Sequence, residues 1–277
     1  LDIKVGDRKM RVGIASRPNL DGTIELTQKI VSHLKEKEIE TFLNSELAEG
    51  LNKKSTPVKE MKVDSLITLG GDGTVLRNTL KLPKTPILGI NMGGRGFLAD
   101  VPPEESLEAI EKMTENELEI MKRERLKVEI SGEKIADALN EGVVRLQDPS
   151  SVLKFKVIMD GEEVEKANGD GIIVATPTGS TAYSLSAGGP VMDPRIDAFL
   201  AVPLATYKPK ALPLVFSMDS KIRIELLEPE KTAYVTIDGQ INREVQKNDE
   251  IVFEKSENSA EFYKWKNKFY EKIKEKL

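Results

Sequence analysis

The sequence predicts an α/β domain with a parallel sheet, followed by a β-rich, β-sandwich-like domain. Three observations carry this. Strand-length apolar runs alternate with amphipathic helical stretches as far as Met113. From about Arg125 apolar residues recur at period two. Asp160-Gly161 and Asp238-Gly239 then stand between such runs as hairpin-turn pairs. The expected organisation is 1–120 as α/β, 121–258 as β-rich, and 259–277 as a C-terminal helix packing back on the first domain.

In chain order, Met10 to Ala15 reads as a strand, and Thr23 to Glu38 as a helix with Ile24, Thr27, Ile30, Val31 and Leu34 on one face. Asp64 to Leu69 is a second strand, Val75 to Leu80 a helix start, and Pro86 to Asn91 a third strand. Pro102-Pro103 opens another amphipathic helix, Glu104 to Met113. Strand, helix, strand, helix, strand implies parallel pairing, because helical crossovers return the chain to the same edge. In the second half, Leu126–Ile130, Lys154–Met159, Lys221–Leu226, Ala233–Ile237 and Glu250–Phe253 read as strands. Glu261 to Leu277 carries Phe262, Trp265, Phe269 and Ile273 at helical spacing.

At 277 residues there is length for one large or two smaller domains with a real core. A 39% hydrophobic share with both charge signs interspersed is globular, and the net charge of −5 speaks against a nucleic-acid partner. With no cysteine, disulfides, thiolate catalysis and cysteine zinc sites are excluded, and a single histidine leaves no dedicated transition-metal site. No apolar run approaches the roughly 20 residues of a membrane span, so a cytoplasmic, non-membrane protein is expected. His33 is expected on the surface of its helix. The chain begins at Leu1, and a processed chain, a cut chain and the tail of a longer polypeptide all stay open.

The most informative segment is Leu66-Ile67-Thr68-Leu69-Gly70-Gly71-Asp72-Gly73-Thr74. A strand delivers a carboxylate onto a turn whose glycines, at 70, 71 and 73, permit positive φ and close amide approach to an anion. The following helix adds the positive end of its dipole. No Lys-Ser or Lys-Thr follows, so this is not a Walker loop, and phosphate binding rests on amides with Arg77 assisting. Asp72 is then a general base for an alcohol attacking phosphorus, as in a kinase. Alone, the segment is equally a tight βα turn in which Asp72 makes a local hydrogen bond.

A second segment runs from Asn168-Gly169-Asp170-Gly171 through Thr176-Pro177-Thr178-Gly179-Ser180-Thr181-Ala182-Tyr183-Ser184-Leu185-Ser186 to Gly188-Gly189-Pro190. Hydroxyls, small residues and one aromatic face suit a nucleoside pocket, while a capped helix start with an ordinary core tyrosine is the plainer reading. Gly94-Arg95-Gly96-Phe97-Leu98-Ala99 imitates a dinucleotide fingerprint, but Asp100-Val101-Pro102-Pro103 interrupts the helix it requires.

Together these segments resemble the NAD kinase family over nearly the full length. The resemblance rests on Gly70 to Thr74, Asn91-Met92-Gly93-Gly94-Arg95-Gly96-Phe97-Leu98, Asn140-Glu141, Gly169-Asp170-Gly171, Thr176 to Tyr183 and Asp238-Gly239-Gln240. It implies an α/β and a β-rich domain with the dinucleotide in the crevice between them. It further implies transfer of a phosphoryl group from ATP or polyphosphate to the 2′-hydroxyl of the adenosine ribose of NAD⁺, with Asp72 as proton acceptor. Gly71, Gly73, Thr74 and Arg77 would serve the donor phosphates; Asn140 and Glu141 the ribose hydroxyls and diphosphate. Asp170 and Thr181, Ala182, Tyr183, Ser184, Leu185 and Ser186 would line the base and ribose pockets, with Phe97, Asn168, Thr178, Asp238 and Gln240 also binding substrate. Mg²⁺ would arrive on the donor phosphates.

The resemblance also implies a homodimer or homotetramer whose neighbouring subunits complete the site, and in some archaeal relatives an upstream phosphatase-like domain. Two positions depart from the family pattern. Many relatives carry Pro-His and Arg-Pro where this chain reads Val202 to Pro213, and often a basic residue where this chain has Asn168. The alternatives are a lipid or sugar kinase sharing the Gly-Gly-Asp-Gly-Thr loop, and a non-catalytic NAD(P) sensor.

Overall fold

The structure, a computed structural model, describes residues 4–5, 8–17, 20–94, 96–148, 150–207, 210–228, 232–266 and 269–276. Leu1, Arg95, Lys208 and Pro209 of the sequence motifs lie outside them. The chain forms two units, 1–122 with 260–277, and 123–259, against boundaries of 120/121 and 258/259 read from periodicity.

In the first unit the elements are β1 (Arg11–Ser16), α1 (Thr23–Glu36), β2 (Glu40–Leu43), α2 (Ser45–Gly50), β3 (Ser65–Gly70), α3 (Asp72–Lys81), β4 (Ile87–Asn91), α4 (Ser106–Thr114) and β5 (Ile120–Arg123). β2, β1, β3 and β4 lie side by side, and their ladders are parallel, with Ile14 opposite both Leu43 and Ile67, and Ile67 opposite Leu88. Burial on both faces explains why β3 reads as a mostly apolar run rather than an alternating one, all six of its residues being buried. The core joins Val12, Ile14, Ile67 and Leu88 to Ile30 and Leu34 of α1 and to Ile110 and Met113 of α4. His33 is only 23% exposed, because Glu111 of α4 stands 2.8 Å from its Nε2 and also pairs with Lys37.

The segment after 259 corrects the expected helix. Ala260–Tyr263 is a strand, parallel to β4 with Phe262 opposite Ile87, and among the described residues of this segment the helix is Phe269–Lys276. The i, i+3, i+7 spacing of Phe262, Trp265 and Phe269 imitates a helix. Phe262 and Tyr263 instead answer to an open sheet edge, and the Tyr263 hydroxyl shares a 2.6 Å hydrogen bond with Ser65 of β3.

The second unit contains two six-stranded antiparallel sheets. One is ordered β10 (Glu162–Gly169), β9 (Leu153–Met159), β14 (Ile222–Leu226), β17 (Ile251–Lys255), β6 (Leu126–Ile130) and β7 (Glu133–Ala138). The other is ordered β13 (Leu214–Ser217), β12 (Ala198–Leu204), β11 (Gly171–Ala175), β8 (Glu141–Leu146), β15 (Ala233–Ile237) and β16 (Ile241–Val245). Phe155, Val128, Ile224 and Phe253 of the first share one core with Phe199, Ile172, Val174 and Val235 of the second, the two-layer arrangement that buries one face of each sheet. The outer face of the second sheet is covered too, by Met192 over Val143, Ile173 and Leu200. Asp160 and Asp238 take left-handed φ of 51° and 48° at their hairpins, as the Asp-Gly pairs foretold.

Candidate active site

β1 and β3 are neighbours, and the chain leaves the carboxyl end of β1 toward β2 but that of β3 toward β4, in opposite directions, which is where open α/β sheets bind ligands. A cavity of about 280 Å³ opens there, lined by Ser16, Asn44, Lys59, Thr74, Arg77 and Lys81 among others. Glu46 is the acidic group on its wall. The helix expected to begin near Val75 starts at Asp72, immediately after the Gly71 cap. Its first-turn amides therefore point outward at the positive end of α3. Among these glycines only Gly70 has positive φ, correcting the expectation for Gly71 and Gly73. Around the last two, a Cβ would meet nothing within 4 Å. They leave an open backbone face rather than a strained turn.

Asp72 is held from one side by three successive amides. Phe97 N–H donates to Oδ2 at 2.6 Å, while Leu98 and Ala99 N–H donate to Oδ1 at 2.9 and 3.1 Å. A carboxylate offers about four acceptor lobes, and Oδ2 keeps one for a further donor. Gly96 is required beside it, since a Cβ there would overlap Oδ1. In place of the local hydrogen bond of the plainer reading, amides 25 to 27 residues further along the chain orient the carboxylate.

The second unit builds its own cluster at one end of β8 and β11, where Glu141 pairs with Ala175. Asp238 is buried and accepts Leu139 N–H on Oδ2 and Asn140 and Glu141 N–H on Oδ1, at 2.8, 2.8 and 3.1 Å. Thr176 Oγ1 donates to Leu139 O at 2.6 Å, and Gly179 approaches Asn140 so closely that a Cβ would overlap its carbonyl. Glu141 is 7% exposed, and burial, with the Asp238 charge, pushes its carboxyl up to about 8 against the Tyr183 amide. Its Oε2 is buried and finds no partner among the described residues, as is true of Ser184 Oγ. Burial also raises Asp238, opposed by those three amides and by the buried Arg125. Tyr183, at the start of the short α5 (Tyr183–Ser186), is 45% exposed, an open aromatic face, with Thr178, Thr181, Ala182 and Leu185 half-buried around the turn.

Two sequence candidates stand apart from this cluster. Asp170 and Asn168 lie at the opposite end of β11, where Gly171 pairs with Arg145, and Asp170 is exposed. The five residues of β11 separate the two ends by roughly 17 Å at about 3.4 Å per residue. Gln240 is exposed in the hairpin loop after β15. Sequence reading missed Ser16, Asn44, Lys59 and Lys81, which only the carboxyl-edge rule could have flagged, and Arg125, and it gave Gly96 no role beyond its motif.

A model of the ATP-NAD kinase N-terminal domain matches residues 12–118, and one of the ATP-NAD kinase C-terminal domain matches 139–265. The chain belongs to the NAD kinase family. It is 41% identical over 273 residues to an NAD kinase of Methanothermobacter thermautotrophicus, covering 97% of this chain and 96% of that one. Its fold is similar to a crystal structure of yeast NADH kinase complexed with NADH, at a TM-score of 0.89 and 25% identity over 97% of this chain and 87% of the other. It is also similar to an NAD kinase from Archaeoglobus fulgidus in complex with ATP, at a TM-score of 0.79 and 33% identity over 96% and 99% of the two chains. Membership of the NAD kinase family sets aside the lipid- and sugar-kinase alternatives that the Gly70 to Thr74 loop alone left open. Among the described residues no helix is long and apolar enough to cross a membrane.

Proposed function

We propose that Asp72 is the base with which this NAD kinase family member phosphorylates the 2′-hydroxyl of the adenosine ribose of NAD⁺ to give NADP⁺. The observation that carries this is the carboxylate fixed by three amides, with one Oδ2 lobe open, at the first turn of α3. The hydroxyl proton passes to Asp72 Oδ2 as its oxygen bonds to the terminal phosphorus of ATP, and the bridging bond to the departing ADP breaks. Little covalent work falls to the protein, so positioning and charge dominate.

The donor phosphates are assigned to the outward amides of Asp72 and Gly73 and to the pocket of Thr74, Arg77, Lys59 and Lys81, where three cations outnumber Glu46. Among the described residues no group of three or more histidine or carboxylate side chains gathers to cage a metal. Mg²⁺ would arrive on the donor phosphates with its own waters and would supply charge neutralisation there.

Glu141, with its unpartnered Oε2, takes the vicinal ribose hydroxyls, Asn140 supports them, and Tyr183 stacks on a base. Thr178, Thr181, Ala182, Ser184, Leu185 and Ser186 line the same pocket, and Phe97 and Gln240 are the remaining substrate-facing assignments. Asp238, expected to bind substrate, is buried under three amides and acts on it only by fixing the Leu139 to Glu141 backbone. Asp170 and Asn168, a strand's length from Glu141, serve the site of a neighbouring subunit in a homo-oligomer. The exposed Tyr207, Leu212 and Val215 beside and on the edge strand β13 supply apolar surface for that contact.

The test is incubation of the pure chain with NAD⁺, Mg²⁺ and ATP or polyphosphate, with NADP⁺ quantified by an NADP-specific dehydrogenase. NADP⁺ accumulation supports the reaction and names the donor. NAD⁺ binding without NADP⁺ from either donor overturns it.

A further inference from the structure

The peptide between Phe97 and Leu98 is gripped on both sides. Its N–H, on Leu98, donates to Asp72 Oδ1 at 2.9 Å, and its C=O, on Phe97, accepts from Lys272 Nζ at 3.1 Å. Lys272 belongs to α6 (Phe269–Lys276), 175 residues away in sequence. Its side chain is only 14% exposed and lies 3.7 Å from Asp100 Oδ2. One turn earlier, the ring of Phe269 packs against Phe97 with centroids 6.2 Å apart. Upstream of α6, Trp265 and Lys266 are both tied to Glu105, Lys266 at 2.6 Å.

The clasp needs such a lock. Gly93 and Gly94 precede it at φ of 113° and 117°, and Gly96 adjoins it, so its upstream end is rich in residues with little steric restriction on φ. Its downstream end is fixed, since Val101 N–H donates to Gly89 O and Asn91 N–H to Val101 O. A peptide is planar, so rotation that turned the Leu98 N–H away from Asp72 would also break the Lys272 bond. An ammonium on the carbonyl also polarises the amide, strengthening its donation to a carboxylate.

We infer that Lys272 is a positioning residue for Asp72, acting through the Phe97–Leu98 peptide, and that α6 is the strap that holds the catalytic carboxylate in register. This rests on the assignment of Asp72 as the base.

The experiment compares wild type, Lys272→Met, Lys272→Arg and Lys274→Met, the last altering an exposed lysine of the same helix. Steady-state kinetics with NAD⁺ and Mg-ATP are read alongside amide hydrogen exchange over 96–101 and the melting temperature. Lys272→Met is expected to lower kcat about tenfold or more while KM for NAD⁺ stays within about twofold, as a misplaced group requires. Exchange at Phe97, Leu98 and Ala99 should rise, Lys272→Arg should recover most of kcat, and Lys274→Met should match wild type. Unchanged kcat and exchange in Lys272→Met would overturn the inference. So would equal losses in kcat and KM with no rescue by arginine, the mark of general destabilisation. Should Lys272→Met be unfolded at the assay temperature, Lys272→Gln is read by the same criteria. An inactive wild type, or a fully active Asp72→Asn, would instead overturn the assignment of the base, and the exchange data would still report whether Lys272 holds the clasp.

Discussion

The backbone amide of Glu141 donates to Oδ1 of Asp238 at 3.1 Å, so the aspartate that fixes the Glu141 main chain also sets a negative charge against its side chain. Burial acts first and Asp238 second, lifting Glu141 from 4.5 to about 8. Between those values the folded chain holds a proton that the unfolded chain has released, so stability falls as pH rises across that window. Glu141→Gln, neutral throughout, should flatten this dependence. Urea unfolding of the ligand-free protein at several pH values should show wild type losing up to a few kcal/mol relative to Glu141→Gln, at about 1.4 kcal/mol per unit. Parallel slopes for the two would contradict the burial argument.

Gly96→Ala and Gly73→Ala should part company. The first drives a Cβ into Asp72 Oδ1, whereas the second meets open space. Gly96→Ala is expected to cost roughly 1–3 kcal/mol of stability through overpacking and to lower kcat steeply. Gly73→Ala should leave the melting temperature near wild type and raise KM for ATP, because its methyl sits on the face assigned to the donor. Thermal melts and kinetics on both variants decide this, and similar behaviour of the two would count against the assignment of that face.

Arg77→Ala and Lys81→Ala should each raise KM for ATP about five- to tenfold with KM for NAD⁺ little changed, as loss of one charge contact in a binding pocket requires. Increasing ionic strength should weaken ATP binding in wild type more than in the double variant. A larger effect on NAD⁺ than on ATP would move the donor away from the pocket at the carboxyl edge of β1.

Asp170 and Asp72 provide a subunit test. If Asp170 serves a neighbouring site, Asp72→Asn and Asp170→Ala proteins, each nearly inactive alone, should regain activity when unfolded together and refolded as mixed oligomers. About a quarter of the sites in a mixed dimer population would then be intact, by random association. Absence of recovery, with mixed oligomers demonstrated by mass spectrometry, would place Asp170 in its own subunit's site or in none.

Much of this arrangement was legible before the structure, and its failures have physical causes. β3 was readable because a strand buried on both faces is mostly apolar, here Leu66, Ile67 and Leu69 beside the small polar Ser65 and Thr68, and the Asp160 and Asp238 hairpins because few residues tolerate left-handed φ. The strand Ala260–Tyr263 was not readable, because three aromatics at helical spacing satisfy a helix pattern while the vacant edge of β4 decides otherwise. The two amide clasps were invisible for a different reason. Backbone N–H groups from Phe97 to Ala99 and from Leu139 to Glu141 leave no mark on side-chain identity, save Gly96. The sequence groups Asp170 with Thr181 to Ser186, because the register that sets Asp170 at the Gly171 end of β11 and that turn beyond the Ala175 end is a tertiary property.

The most direct test of the account is the separation of catalysis from binding in Asp72→Asn. Asparagine keeps the shape and one carbonyl acceptor for the clasp, but not the base. The account predicts that kcat for NADP⁺ formation falls about 10²–10⁴-fold, the usual worth of a general base, while the Kd for NAD⁺ by calorimetry stays within a few-fold of wild type. A variant that retains wild-type kcat, or one whose loss of turnover is matched by an equal loss of NAD⁺ affinity, would contradict it.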